Sequence, residues 1–181
     1  MKYPSICFDR FKMPGFTIAT TDLCHTDDLA KYCRYTKGKK YFSYEEAMLL
    51  VDFLNSGCPT GGYDFALPTD QEFEQIIARY GYKDGICHSY NLATALGLGF
   101  YGSIGILTTL EEYNKSPLDF TYRQAIAYGV TGHYWCKGTG EYKGQASILC
   151  MNSCGEPTFI RNVLDNGKHI GCSVRLIGRP W

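Results

Sequence analysis

Nine cysteines and four histidines are the residues of this chain most able to do chemistry. Thiolates and imidazoles ligate zinc, and together they make nucleophile and base. Zinc ribbons present cysteines as Cys-x-x-Cys pairs. No such pair occurs among Cys7, Cys24, Cys33, Cys58, Cys87, Cys136, Cys150, Cys154 and Cys172. Cys150-x-x-x-Cys154 and Cys24-His25 come nearest to metal spacing. Cys87-His88, or Cys136 with His133, can be imagined as a nucleophilic pair assembled in space, but their spacing does not prefer this over buried thiols. His25, His88, His133 and His169 are scattered, and no P-loop, HExxH, GxSxG or Rossmann glycine pattern is present. Oxygen ligands for calcium stand at Asp64, Asp70, Asp84 and Asp165 without the spacing of a calcium loop. The residues favour free thiols buried as small hydrophobes, in a chain made in a reducing place. Catalytic residues, metal and cofactor are accordingly all read as none.

Lys plus Arg equals Asp plus Glu, 18 against 18, so no global field draws the chain toward nucleic acid or anionic lipid. The one basic stretch, Lys31 to Lys40, reads as solvated surface. No apolar run approaches the ~18 residues that span a bilayer. The opening residues also lack a charged region followed by an apolar run. The expectation is a protein that uses neither nucleic acid nor membrane as a partner. It would be cytoplasmic unless it reaches a virion or cell surface by another route.

The elements that would position any site are legible mainly in the first half. A single domain spans residues 1–181, and its residues 1–40 read as an irregular N-terminal segment with a strand and an arm. Ser43 and Glu46 form a capping box, and Ala47, Leu50, Val51 and Leu54 fall on one helical face that stops at Gly57. Thr69 and Glu72 form another, followed by Phe73, Ile76, Ile77 and Tyr80, with Gly81 as the stop. Beyond residue 82 glycines recur too often for long helices. Short β-like runs are read at Phe100–Leu107, Ala146–Met151, Pro157–Val163 and Cys172–Ile177, with one short helix near Leu110–Tyr113 or Tyr122–Tyr128. Two helices packed on short antiparallel strands with long loops make an α+β domain.

That order of elements, with its particular residues, resembles a known superfamily. Asp64-Phe-Ala-Leu-Pro-Thr-Asp-Gln-Glu-Phe73 is similar to the LPT segment of formylglycine-generating-enzyme and C-type-lectin-like proteins. It is closer still to the Fibrobacter succinogenes major paralogous domain. Tyr41-Phe-Ser-Tyr-Glu-Glu-Ala47 resembles that family's preceding helix, and Leu96-Gly-Leu-Gly-Phe-Tyr-Gly102 loosely matches its Gly-rich segment. Gly132-His-Tyr-Trp-Cys136 resembles its tryptophan motif, and Gly171-Cys-Ser-Val-Arg-Leu-Ile177 its terminal strand. The resemblance covers roughly residues 41–178. It implies a C-type-lectin-like fold and, among the family's neighbours, the variable proteins of diversity-generating retroelements. Those are phage or bacterial surface proteins that present mutable loop residues for cell adhesion or receptor binding.

Carried onto this chain, the variable segment runs from Tyr134 to His169. The ligand-binding residues implied are Tyr134, Lys137, Glu141, Tyr142, Asn152, Phe159, Arg161, Asn162, Asn166, Lys168 and His169. Aromatic anchors among adaptable amides and a few charges suit recognition. Gly132, Trp135, Val174 and Arg175 read instead as scaffold, Arg175 with a carboxylate near the helices. The partner implied is a protein or glycan on a target surface, and the phage homologues imply a homo-oligomer. Enzymes of the superfamily are the alternative, as is a structural virion or fimbrial subunit. However, Cys150 and Cys154 lack the motif around a formylglycine-generating enzyme's copper cysteines, and no His-x3-His-x-Glu helix of the iron sulfoxide synthases occurs. Glu156-Pro157-Thr158 departs at its third position from the tripeptide of calcium-dependent lectins, and no Trp-Asn-Asp follows. The reading is a non-enzymatic binding module.

Overall fold

Both capping boxes form in the computed structural model, which describes residues 6–8, 10–23, 41–57, 62–104, 128–161, 163–168 and 170–180. The Ser43 amide donates to Glu46 Oε1 (3.0 Å), and the Glu46 amide to Ser43 Oγ (3.1 Å). This satisfies orphan donors at the start of α1, Tyr44–Gly57. The same exchange between Thr69 and Glu72 opens α2, Asp70–Tyr80, which ends as the Gly81 amide bonds the Ile77 carbonyl (2.7 Å). The α1 stripe Ala47, Leu50, Val51 and Leu54 is buried, as the period of 3.6 predicts.

Among the described residues, nine short strands build three sheets. β1 (Phe11–Met13), β2 (Phe16–Ile18), β3 (Tyr63–Ala66) and β9 (Ile177–Pro180) form an antiparallel sheet in the order β1-β2-β9-β3. The last strand thus lies between two early ones, and the two ends of the described chain meet. β4 (Tyr82–Lys83) and β5 (Ile86–Cys87) make a hairpin. β6 (Thr131–Lys137), β7 (Ala146–Asn152) and β8 (Thr158–Ile160) make an antiparallel sheet in that order.

The free edge of β6 is closed by three other segments. The Gly102 amide donates to the Thr131 carbonyl (2.7 Å), Ser173 exchanges bonds with His133 and Trp135, and the Lys137 amide donates to the Pro68 carbonyl (2.9 Å). Both faces of β6–β7 are covered. Trp135 and Ile148 pack with the α1 stripe in one core cluster. Tyr134, Cys136, Leu149 and Met151 pack in the other with Phe73, Ile76, Leu92 and Leu96. Alternation along a strand puts neighbours on opposite faces, so β6 buries every side chain from His133 to Cys136.

The scaffold expectations for Trp135, Val174 and Arg175 hold. Trp135 is fully buried and its indole donates to the Phe42 carbonyl (2.6 Å). Arg175 is 2 % exposed and pairs with Asp22 (2.8 Å) while donating to the carbonyls of Ala19, Leu96 and Gly97. Its carboxylate comes from the N-terminal segment rather than a helix; what the helix supplies is a carbonyl end.

The α+β class stands, with corrections to its elements. A third helix, α3 (Ser89–Leu96), packs on α2; it is capped by His88 Nδ1 accepting the Tyr90 amide (3.0 Å) and closed by Gly97 at φ 70°. The hairpin β4–β5 turns at Asp84-Gly85, both at positive φ, as a two-residue turn of that twist requires. The run read at Pro157–Val163 shortens to β8, and Cys172–Ile177 splits into bridges at 171–173 and the start of β9. At Phe100–Leu107 only 102–104 bridge; 105–107, the short helix read at 110–113 and most of that at 122–128, and the basic stretch lie outside the described residues. Tyr128 itself sits in a turn. Among the described residues no helix is long and apolar enough to cross a membrane.

Candidate functional site

Asp70 is the first residue of α2, and the capping box turns its carboxylate away from solvent toward the loop that follows β6. It is 1 % exposed. It accepts the Thr139 hydroxyl (2.5 Å), the Thr139 amide (3.4 Å) and its neighbour's Gln71 amide (2.8 Å), and it pairs with Arg161. Burial by itself raises the carboxyl's pKa; the Thr139 hydrogen bonds and the Arg161 charge outweigh it and hold the group below its ordinary value. One turn on, Glu74 meets the other end of the guanidinium (3.3 Å). The Arg161 plane also lies 5.0 Å from the Phe159 ring centre and 5.5 Å from that of Tyr142. Such contacts are worth about 0.5–1 kcal/mol each where partly exposed.

Asp70, Glu74, Thr139, Tyr142 and Arg161 line an open cleft of about 320 Å³ with Gln71, Gly140 and Glu141. One wall is the first turns of α2. The other wall is a 3-10 turn, Gly140–Tyr142, whose entry needs the left-handed Gly140 (φ 63°). The buried Cys136 thiol lies beneath it, raised by burial and by Asp70. The cleft offers fixed carboxylates, a half-buried aromatic ring and hydrogen-bond donors that are already engaged.

Three of the residues expected from the resemblance, Glu141, Tyr142 and Arg161, line it, and a fourth, Phe159, packs its ring against Arg161. Lys137 is half-buried at the same end of β6, and Asn166 is tied there by accepting the Ala146 amide (3.0 Å). Lys168 is exposed one residue past the left-handed Asp165-Asn166-Gly167 turn. Asn152 stands at the opposite end of β7, about 20 Å away at ~3.4 Å per residue, where it accepts the Cys154 amide. Asn162 and His169 lie outside the described residues.

Tyr134 must be removed from the recognition set. It is fully buried, its hydroxyl donating to Asp22 (2.7 Å) and accepting from the Gly99 amide (2.7 Å). A strand covered on both faces leaves no outward position for it. The residues missed were Asp70, Gln71, Glu74 and Thr139. The usable signal was the Asp70/Glu74 spacing of one helical turn, which puts both carboxylates on one face.

The thiol and imidazole pairs imagined from sequence do not assemble. His133 points to the Trp135 face of β6, opposite Cys150, while Cys136 points to the other face. His88 spends its Nδ1 lone pair on the α3 cap. Burial raises Cys136, Cys150 and Cys172, which keeps these thiols protonated. Asp64, Asp70, Asp84 and Asp165 are spread over four separate elements. Among the described residues no group of three or more His, Cys, Asp or Glu is placed to hold a metal ion. His25, Cys24, Cys33 and Cys58 lie outside the described residues. Comparison with family models, with curated proteins and with solved structures returns no match to this chain.

Proposed function

We propose that the protein is a non-enzymatic ligand- or receptor-binding module of the C-type-lectin-like type, and that the cleft between α2 and the Gly140–Tyr142 turn is its recognition surface. The observation that carries the reading is the convergence of Glu141, Tyr142 and Arg161, from two stretches of one segment, onto a single open cleft, with Phe159 of β8 against Arg161. Trp135 and the terminal Val174–Arg175 stretch are meanwhile sequestered as scaffold. Rigid elements holding variable loops are the usual way to keep a surface mutable without loss of fold. The finer proposal is a retroelement-diversified protein displayed on a phage or bacterial surface, whose partner is a protein or glycan of the target.

A screen of the chain against glycan and cell-surface protein arrays tests this, run beside Tyr142→Ala and Glu141→Ala. Binding by the parent chain that both variants lose, with their circular dichroism unchanged, is the expected result. A target bound equally by all three would remove the cleft from the reading. The nucleotide sequence tests the retroelement proposal separately: codons of the adenine-mutable AAY type should be enriched between residues 134 and 169.

A further inference from the structure

The chain itself displays what the cleft can hold. Arg161 is a cation seated against two aromatic rings with carboxylates at its edge. Its guanidinium is engaged by Asp70 and Glu74, and it is only 28 % exposed, so it has little left to offer an incoming anion. The lining carries three carboxylates, Asp70, Glu74 and Glu141, against this one guanidinium. Asp70 and Arg161 neutralise each other at the buried side of the cleft. The solvent-facing lining is Glu74, 55 % exposed and touching Arg161 through one oxygen, the exposed Glu141 and the half-buried Tyr142 ring. A cleft lined by three carboxylates, one guanidinium and an aromatic ring carries net negative charge and attracts a cation by the same physics that seats Arg161: charge attraction and the ring quadrupole.

We infer that the cleft takes a basic side chain of a protein partner, arginine above lysine, in a second berth beside Arg161. Arginine is favoured because its planar guanidinium stacks on a ring while its edge reaches a carboxylate, whereas an ammonium is a more strongly hydrated point charge. The inference rests on the cleft being the recognition surface, and it names what that surface recognises. An anionic sugar or phosphate is disfavoured by the same two outward carboxylates.

The test uses the full chain, isotopically labelled, with backbone amide spectra followed at Thr139, Glu141 and Tyr142. The probes are N-acetyl-arginine methylamide, its neutral citrulline counterpart, N-acetyl-glutamate and spermidine. Saturable shifts with the arginine probe are expected, with citrulline at least about fivefold weaker because the charged contacts are gone. Raising salt from about 50 to 500 mM should weaken the arginine probe severalfold as the screening length falls. Glu141→Gln, which touches no scaffold contact, should weaken it about two- to fivefold while leaving other amides in place. Citrulline binding as well as arginine, shifts from the glutamate probe, or no saturable shift by about 50 mM (a binding energy too weak to matter) would each overturn the cation inference. Spermidine binding more tightly than the arginine probe would assign the cleft to a free polyamine and overturn the protein partner. A target found in the array screen that needs Tyr142 but ignores all cationic probes would leave the recognition surface standing and sink this inference alone.

Discussion

Replacing Arg175 by Met isolates the joint that holds the fold together. The methionine keeps most of the volume and removes the charge and all donors. In the native chain the guanidinium bonds Asp22 Oδ1 at 2.8 Å, the Ala19 carbonyl at 3.0 Å, the Leu96 carbonyl at 2.7 Å and the Gly97 carbonyl at 3.2 Å. Leu96 and Gly97 are the end of α3, where carbonyls lack helical partners and a cation is favoured. Removing one partner of a buried ion pair costs about 3–5 kcal/mol, because the other charge and the orphaned carbonyls stay behind. Asp22 is less buried than Arg175, 11 % against 2 %, and keeps the Tyr134 hydroxyl, which moves the expectation toward the lower end, about 3–4 kcal/mol. In urea, with a slope of about 2 kcal/mol per molar, the midpoint should fall by roughly 1.5–2 M at unchanged slope. Arg175→Lys should recover only part of this, since an ammonium lacks the planar fork. Should Arg175→Met fail to fold, the milder Asp22→Asn, expected to cost about 1–2 kcal/mol, gives the same comparison through a double-mutant cycle with Arg175→Lys. A loss below about 1 kcal/mol for Arg175→Met would refute the reasoning, because surface-like ion pairs cost that little.

Other perturbations separate scaffold from site. Gly167→Ala should destabilise by about 2–4 kcal/mol and alter Trp fluorescence: the residue sits at φ 68°, and an added Cβ would lie 2.1 Å from Trp135 Cη2. Arg161→Ala leaves the buried Asp70 with its Thr139 and Gln71 donors but no cation, and unfolding should show a loss of about 2–3 kcal/mol. Burial holds His133 neutral, with its pKa below the unfolded value and its Nδ1 without a partner. Between the two pKa values the unfolded chain binds more protons, so stability is full above about pH 6.5 and falls as pH drops below it. Denaturation from pH 7.5 to 5 should show that slope, and His133→Gln should flatten it. The lowered carboxyls of Asp70 and Glu72 add their own loss only as pH falls below about 4.5, outside that window.

Local physics explains which parts of this molecule can be read directly from its residues. The two capping boxes and the α1 stripe need only neighbours three and four positions apart, and all formed where spacing put them. The same kind of signal was present and unread at Asp84-Gly85 and at His88 with Gly97, where glycine frequency was weighed against helix and the capped eight-residue α3 was lost. Tyr134 was beyond reach. Alternation gives it a face of β6, but which faces are covered depends on α1, α2 and α3 arriving from distant parts of the chain. The cleft lies on the same side of that divide. Asp70 and Arg161 are 91 positions apart, and neither residue's surroundings in sequence mark it as a partner of the other. Sequence alone therefore determined α1, α2 and the α+β class. Only tertiary packing decided that Glu141, Tyr142 and Arg161 line one cleft with the start of α2 and that Tyr134 is core. Helix signals depend on contacts a few residues long, whereas a site is made by contacts whose closure depends on the whole fold.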